Sequence, residues 1–333
     1  MRAAVQRSGI VIYWLLFFWI SFGLGYATLN RFDARERNVD AVQYYKLVTG
    51  KPSEAGDLLR YRVLVPWVAK PFYWIGVGRI GSWNPVAFGL LVSNSLFTAT
   101  SACFLLLLGR EFAGSDAAAL AGTLLYLLNF TMPVRQLGDG LVESGEACFM
   151  LALFWLLLNR RIYLLPVLGL FGALAKESFV PMSAVATAAW AVYEWRKARW
   201  RLADTLWWAA MVLVGLSTVV LLQFRVTGAL VWPWQFAGSL RNHDVSLLRG
   251  LIHCVADRYF CFVFLWLLPL GLPRLKNFPT AWTCASLGGA AAALAMGAWN
   301  DAGGNTVPSI FNSIGPLLSL SAAQFLAPNS GLD

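Results

Sequence analysis

The recurrence of long apolar runs constrains this chain more than any other feature. A first run follows Arg2 and Arg7 in "MRAAVQRSGIVIYWLLFFWISFGLGYATLNRF". Others occupy 85–108, 116–134, 143–158, 162–175, 178–195, 203–224, 258–272, 280–298 and 310–327. About twenty apolar residues suffice for a helix to cross a bilayer. Backbone in hydrocarbon must satisfy its own hydrogen bonds, so a chain with this pattern is expected to form helices rather than open sheet. The reading is an all-α, polytopic transmembrane bundle of about ten helices, forming a single membrane-embedded domain over residues 1–333. Hydrophobic residues make up 58% and charged residues 13%, too few charges to clothe a soluble domain of this length.

The first run is read as a retained helix, because a cleaved leader has a shorter apolar core and a small-residue cleavage site that "YATLNR" does not supply. The stretch "VLVPWVAKPFYWIGVG" at 63–78 is broken by Pro66, Lys70 and Pro71 and suits an interfacial or re-entrant helix inside a first outer loop of about 30–84. Cysteines 103, 148, 254, 261 and 284 form no CxxC pair, so neither a zinc site nor a disulfide framework is indicated. The net charge of +9 comes from short basic clusters between apolar runs, which is how topology signals are distributed, and no nucleic-acid module accompanies it.

Those clusters orient the chain. With a cytoplasmic N-terminus, Arg2, Arg7, Arg110, Arg160, Arg161, the "EWRKARWR" run, Arg274 and Lys276 share the inner side in very short segments. The remaining basic residues are spread over long outer loops among acids, so both termini are expected inside. The polar segments 30–62, 135–146, 176–177, 241–244 and 300–306 then gather on the outer face. Ionisable groups at membrane depth are costly and mark sites or pathways, which places the function on that face.

Several residue groups there have the chemistry of a site. In "RNVDAVQYYKLV" a helix sets Asp40 and Tyr44 on one face, with Gln43 beside them; Asp40 suits a general base, or else caps or decorates a surface helix. In "LLRYRVLVP", Arg60 and Arg62 suit bidentate capture of a lipid phosphate, or simple snorkelling to headgroups. If a helix starts near Gly138, Asp139, Glu143 and Glu146 form one acidic stripe, which calls for a nearby cation, a bound metal or a raised pKa. The alternative is ordinary acid placement at a helix N-terminus, which explains Asp139 well and Glu146 poorly. Lys176 and Glu177 in "GALAKESFVP" need a cavity, a partner or the interface, and an interfacial turn would also serve. His243 precedes Asp244, itself a plausible helix N-cap; a lone histidine there is commonly structural or exposed. Asp301 and Asn305 lie in a glycine-rich turn suited to close approach of backbone to ligand, or to a flexible connector.

The order of these elements resembles the C-type (GT-C) glycosyltransferase superfamily. A D-x-x-x-Y-Y loop after the first helix, "RYRVLVP", "GDGLVE", a "KES" junction and a last outer loop before "PLL" carry the likeness over most of the chain. The resemblance implies a multi-helical enzyme that takes a sugar from a polyprenyl-phosphate carrier on the non-cytoplasmic face, in a bacterial inner membrane by the chain's compact length. It places the base at Asp40, with Asp33 as competitor, and the second acid motif at Asp139 with Glu143. Arg62 and Lys176 become holders of the carrier phosphate, with Arg60, Tyr44, Tyr45, Glu177, His243 and Asn305 as further binding residues. Relatives often carry an acid or arginine in the last outer loop, where this chain has Asn305.

The residues support a lipid donor beside the resemblance. Such a donor needs an apolar groove, cations for its phosphate and an acid for the incoming hydroxyl, and segments 30–78 and 135–177 contain all three types. No Gly-rich nucleotide loop is present to take a nucleotide sugar. The acceptor is a lipid, glycan or protein hydroxyl, and the sequence requires no cofactor, although a divalent metal is compatible with it. A secondary transporter or lipid flippase and a noncatalytic membrane subunit are the competing readings.

Overall fold

The computed structural model describes residues 2–31, 34–51, 59–81 and 83–326, with residues 2–8 and Arg37 described by their backbone. Among these residues the elements are helices and turns, without a strand. A long α1 (Arg2–Leu29) is followed by three elements of the first loop, α2 (Ala34–Arg37), α3 (Val39–Val48) and α4 (Leu64–Gly76). The bundle continues through α5 (Pro85–Phe112), α6 (Asp116–Leu128), α7 (Glu143–Leu158), α8 (Leu165–Ala175), α9 (Phe179–Arg196) and α10 (Leu202–Thr227). Short helices α11 (Pro233–Ser239), α12 (Leu247–Val255), α13 (Arg258–Phe264) and α14 (Leu267–Gly271) precede the long α15 (Thr280–Asn300) and α16 (Val307–Leu326).

Local chemistry sets many of these boundaries. Asn84 accepts from the Val86 amide and Pro85 opens α5, Ser115 caps α6 through the Ala118 amide, and Asp257 caps α13 through Tyr259. Gly228, at φ +71, ends α10 in the left-handed conformation.

Five helical segments are long and apolar enough to cross a membrane, or six if the pair 116–128 and 131–138, bent by 56°, is one span. The protein is therefore a helical membrane protein. Their burial separates centre from periphery: 72% of the most apolar window of α5 is covered by the protein, against 17% for α1 and 22% for α10. The centre is α5, α7 and α16, whose residues Leu105, Phe154 and Phe311 are fully buried in one cluster. The uncovered apolar faces of α1 and α10, with Trp19, Leu213 and Leu221 exposed, are the surfaces fitted to lipid. Close approach at the α8–α10 crossing requires glycine, since a Cβ on Gly169 would stand 2.4 Å from the Met211 carbonyl oxygen.

The two ends of the bundle differ in character. At one end the Arg110–Asp116 and Arg160–Glu194 pairs and the Gln324 bond to the Phe112 carbonyl join neighbouring helix ends. At the other, the segments holding Arg62, Arg135, Lys176, Glu177 and Asn305 meet, tied by Arg62–Glu177 and Arg135–Asn305 contacts. The first loop packs on this second end: the Ser93 hydroxyl donates to the Val65 carbonyl, and α4 lies along α5. At thirteen residues α4 is about 20 Å long, well short of a hydrocarbon core of about 30 Å, and it leaves Trp67, Trp74 and Ile75 exposed.

Candidate active site

A cavity of about 630 Å³ opens at the charged end of the bundle. Asp40, Arg62, Arg135, Glu143, Lys176 and Glu177 line its polar part. Its apolar part continues down the bundle between α10 (Val212, Leu216, Val219) and α15 (Ala293, Met296), over α9 (Val180, Ala184). Both α10 and α15 pack on α9, which forms the floor of the groove. Helix α11 roofs the cavity with Phe236 and Leu240, held by the Trp299 indole N–H donating to the Ala237 carbonyl at 2.8 Å and by Tyr61 edge-on to Phe236.

Arg62 of the first loop is held at several points. Its Nε and Nη2 donate to the two Glu177 oxygens at 2.9 and 2.5 Å, and Nη1 donates to the Tyr44 hydroxyl at 3.0 Å. Burial pushes the Tyr44 phenol well above its ordinary range, so it stays neutral and accepts that bond. Burial works against the charge on Arg62, but Glu177 and then Tyr44 more than offset it, and its pKa stands well above the usual value. Burial likewise disfavours the Glu177 carboxylate, yet Arg62 outweighs it and holds the carboxyl below its usual range. The bidentate fork fixes the orientation of Arg62 and leaves two of its five N–H groups for the cavity.

The acidic stripe expected from a helix starting near Gly138 does not form. Residues 131–138 make a π-helical segment, Gly140 turns the chain at φ +64, and α7 starts at Glu143. Asp139 therefore lies outside the helix that carries Glu143 and Glu146. The cation that two clustered carboxylates require is Lys176, whose Nζ lies 3.6 Å from Glu143 and 3.5 Å from Glu146. Glu146 is fully buried and has further partners: Ser309 donates to it at 2.7 Å, Asn312 at 3.0 Å, and Ser178 completes the set. Glu143 lines the cavity and keeps Oε2 without a hydrogen-bond partner.

Arg135 was not among the candidates from sequence, although a basic residue between apolar runs is a signal of the kind that singled out Lys176. It pairs with Asp139 at 3.4 Å, donates to Asn305 at 2.5 Å and stands 5.5 Å above the Tyr259 ring. Arg135 thus brings a charge to Asn305 from the π-helical segment. Asp139 pairs with Arg135 and does not line the cavity.

The other candidates fall in different places. Asp40 is exposed and lines the cavity one helical turn from Tyr44. Tyr44 and Tyr45 are both buried in a cluster with Leu90 and Leu137 and neither lines the cavity, Tyr44 reaching it only through its hydroxyl bond with Arg62. Arg60 lines a separate groove, not the cavity that Arg62 lines. His243 is exposed on a turn and does not line the cavity; the histidine with a carboxylate partner is His253, 2.7 Å from Asp301. Asp33 lies outside the described residues. Among the described residues, no three His, Cys, Asp or Glu side chains gather as a metal-holding group.

Compared with protein-family models, curated proteins and solved structures, the chain matches none.

Two outcomes follow from the ion pairs. Lys176→Met leaves buried carboxylates uncompensated and is expected to cost about 3–5 kcal/mol in denaturant unfolding in detergent; adding Glu146→Gln recovers part of that loss. Because the folded Glu177 carboxyl titrates below its usual range, its contribution is fully present above the ordinary carboxylate pKa and disappears as pH falls through the lowered value. Thermal melts on acidification should show this as a loss of stability that Glu177→Gln flattens.

Proposed function

We propose that the protein is a membrane glycosyltransferase that moves a sugar from a polyprenyl-phosphate carrier to an acceptor hydroxyl of a lipid, glycan or protein. In this reading the bundle is GT-C-like, with ten crossings: α1, α5, α6 with the 131–138 segment, α7, α8, α9, α10, α13–α14, α15 and α16. Both termini are cytoplasmic and the cavity faces the periplasm of a bacterial inner membrane.

The observation that carries the reading is the make-up of the cavity: a carboxylate, several cations and an apolar groove in one space. The groove between α10 and α15 takes the isoprenoid tail, and Arg135, Lys176 and Arg62 face the phosphate at its head. Asp40 takes the proton of the acceptor hydroxyl as its oxygen attacks the anomeric carbon. The bond from that carbon to the carrier phosphate breaks, and the departing phosphate's negative charge is met by the cations. Direct attack inverts the anomeric configuration. The unpartnered Glu143 Oε2 is an acceptor for a sugar hydroxyl.

A transporter or flippase draws on the buried Glu146–Lys176 pair. What weighs against it is that Glu146 is already closed by Ser178, Ser309, Asn312 and Lys176.

Asp40→Asn is expected to lower transfer from a polyprenyl-phosphate sugar by about 100- to 10,000-fold with the melting temperature preserved; full activity in that variant removes the base and with it the mechanism. Orientation is checked separately by single cysteines at positions 40 and 198 in a cysteine-free background. An impermeant reagent outside intact cells should label residue 40 and leave residue 198 untouched.

A further inference from the structure

The turn that joins α9 to α10 lies at the end of the bundle away from the cavity: the 18 residues of α9, about 27 Å of helix, separate it from the Lys176–Glu177 turn. Between Trp195 and Leu202 it exposes Arg196, Lys197, Arg199 and Arg201. The turn is fastened from below. The Arg160 guanidinium pairs with the buried Glu194 and reaches the Arg199 carbonyl at 3.4 Å, while the Asp204 carboxylate accepts from the Arg201 amide at 3.0 Å. Both acids beside the turn are thus engaged, and among the described residues the side chains of Arg196, Lys197 and Arg199 make no ion pair or hydrogen bond. Their flanks are apolar: Trp195 is 73% exposed, Leu202 80% and Leu206 65%, and the leucines lead onto the lipid-fitted face of α10. A turn facing only water has no use for a bare tryptophan and leucine on either side of its cations, and neither has a site for a free anion. A phosphate joined to hydrocarbon satisfies cations and flanks together, with Trp195 at headgroup level.

We propose that this turn binds the headgroups of anionic phospholipids in the leaflet at its end of the bundle. Arg196, Lys197 and Arg199 meet the phosphate oxygens, and Trp195 and Leu202 lie against the hydrocarbon just below them. A zwitterionic lipid carries its own cation and offers the turn no net charge, so it is held less. The bound lipids fasten the end of α10, only 22% of whose most apolar window is covered by protein. The proposal does not depend on the transferase reading.

The test is photo-cross-linking of the full chain in phosphatidylcholine nanodiscs that contain a trace of phosphatidylglycerol or phosphatidylcholine with a photoactivatable group beside the headgroup. Adducts are mapped by peptide mass spectrometry. Wild type should be labelled over residues 195–202 in excess by the phosphatidylglycerol probe. That labelling should fall about fivefold for each cation replaced and about a hundredfold in Arg196→Gln/Lys197→Gln/Arg199→Gln, while adducts on α1 stay constant. Single Lys197→Gln, on the protein surface, keeps the test valid if the triple variant does not fold. Equal labelling by the two probes, or undiminished labelling in a folded variant, overturns the proposal. Loss of the adduct on adding inorganic phosphate, where sodium chloride of the same ionic strength has no such effect, would identify a free-anion site and overturn it as well.

Discussion

A carboxylate removed entirely from water must find its compensation inside the protein, and Glu146 finds it in four side chains from three parts of the chain. Ser309 and Asn312 come from α16, Ser178 from the start of α9, and Lys176 from the turn before it. Each bond is individually modest, but a buried charge left unpaired is expensive, so α7, α16 and the α8–α9 turn are held together as one unit. Asn312 extends the unit to the π-helical segment by accepting from Gln136 at 3.0 Å. The floor and one wall of the cavity are thereby set by polar chemistry. The apolar centre around Phe154 and Phe311 supplies bulk packing beneath it.

Against this fixed wall the first loop is fastened by one long-range tie. Arg62 reaches Glu177 across 115 residues of sequence, and Tyr44 follows it through the hydroxyl. This tie places α3, and with it Asp40, at the cavity mouth. Asp40 itself is exposed and its carboxylate enters no ion pair or hydrogen bond among the described residues, so it stands uncommitted on the helix that Tyr44 ties to Arg62. The opposite rim is fastened through Arg135, which joins Asp139 behind it to Asn305 in front.

The helical membrane character was legible because apolar run length is a property of the chain itself. The grouping of Asp40, Arg62, Glu143, Lys176, Glu177 and Asn305 was legible too, since alternating loops of a bundle share an end. What could not be read were directions set by local backbone. Gly140 and the π-helical turn remove Asp139 from the stripe on which helical spacing had placed it, and nothing in "RQLGDGLVE" distinguishes that break from a regular helix start. Likewise Arg60 and Arg62 line different cavities, whereas the sequence reading set both on one lipid phosphate. His243 has its acidic neighbour Asp244 in sequence, whereas the acid partner of His253 is Asp301, 48 residues on, which only the fold brings to it.

The composition of α7 also bears on biogenesis. At sixteen residues it is about 24 Å long, and its first turn carries two carboxylates, so it partitions poorly into lipid as an isolated segment. The cation that neutralises them, Lys176, is synthesised only after α8, and Ser309 and Asn312 follow Glu146 by 163 and 166 residues. Stable seating of α7 among these partners therefore waits on the synthesis of α16.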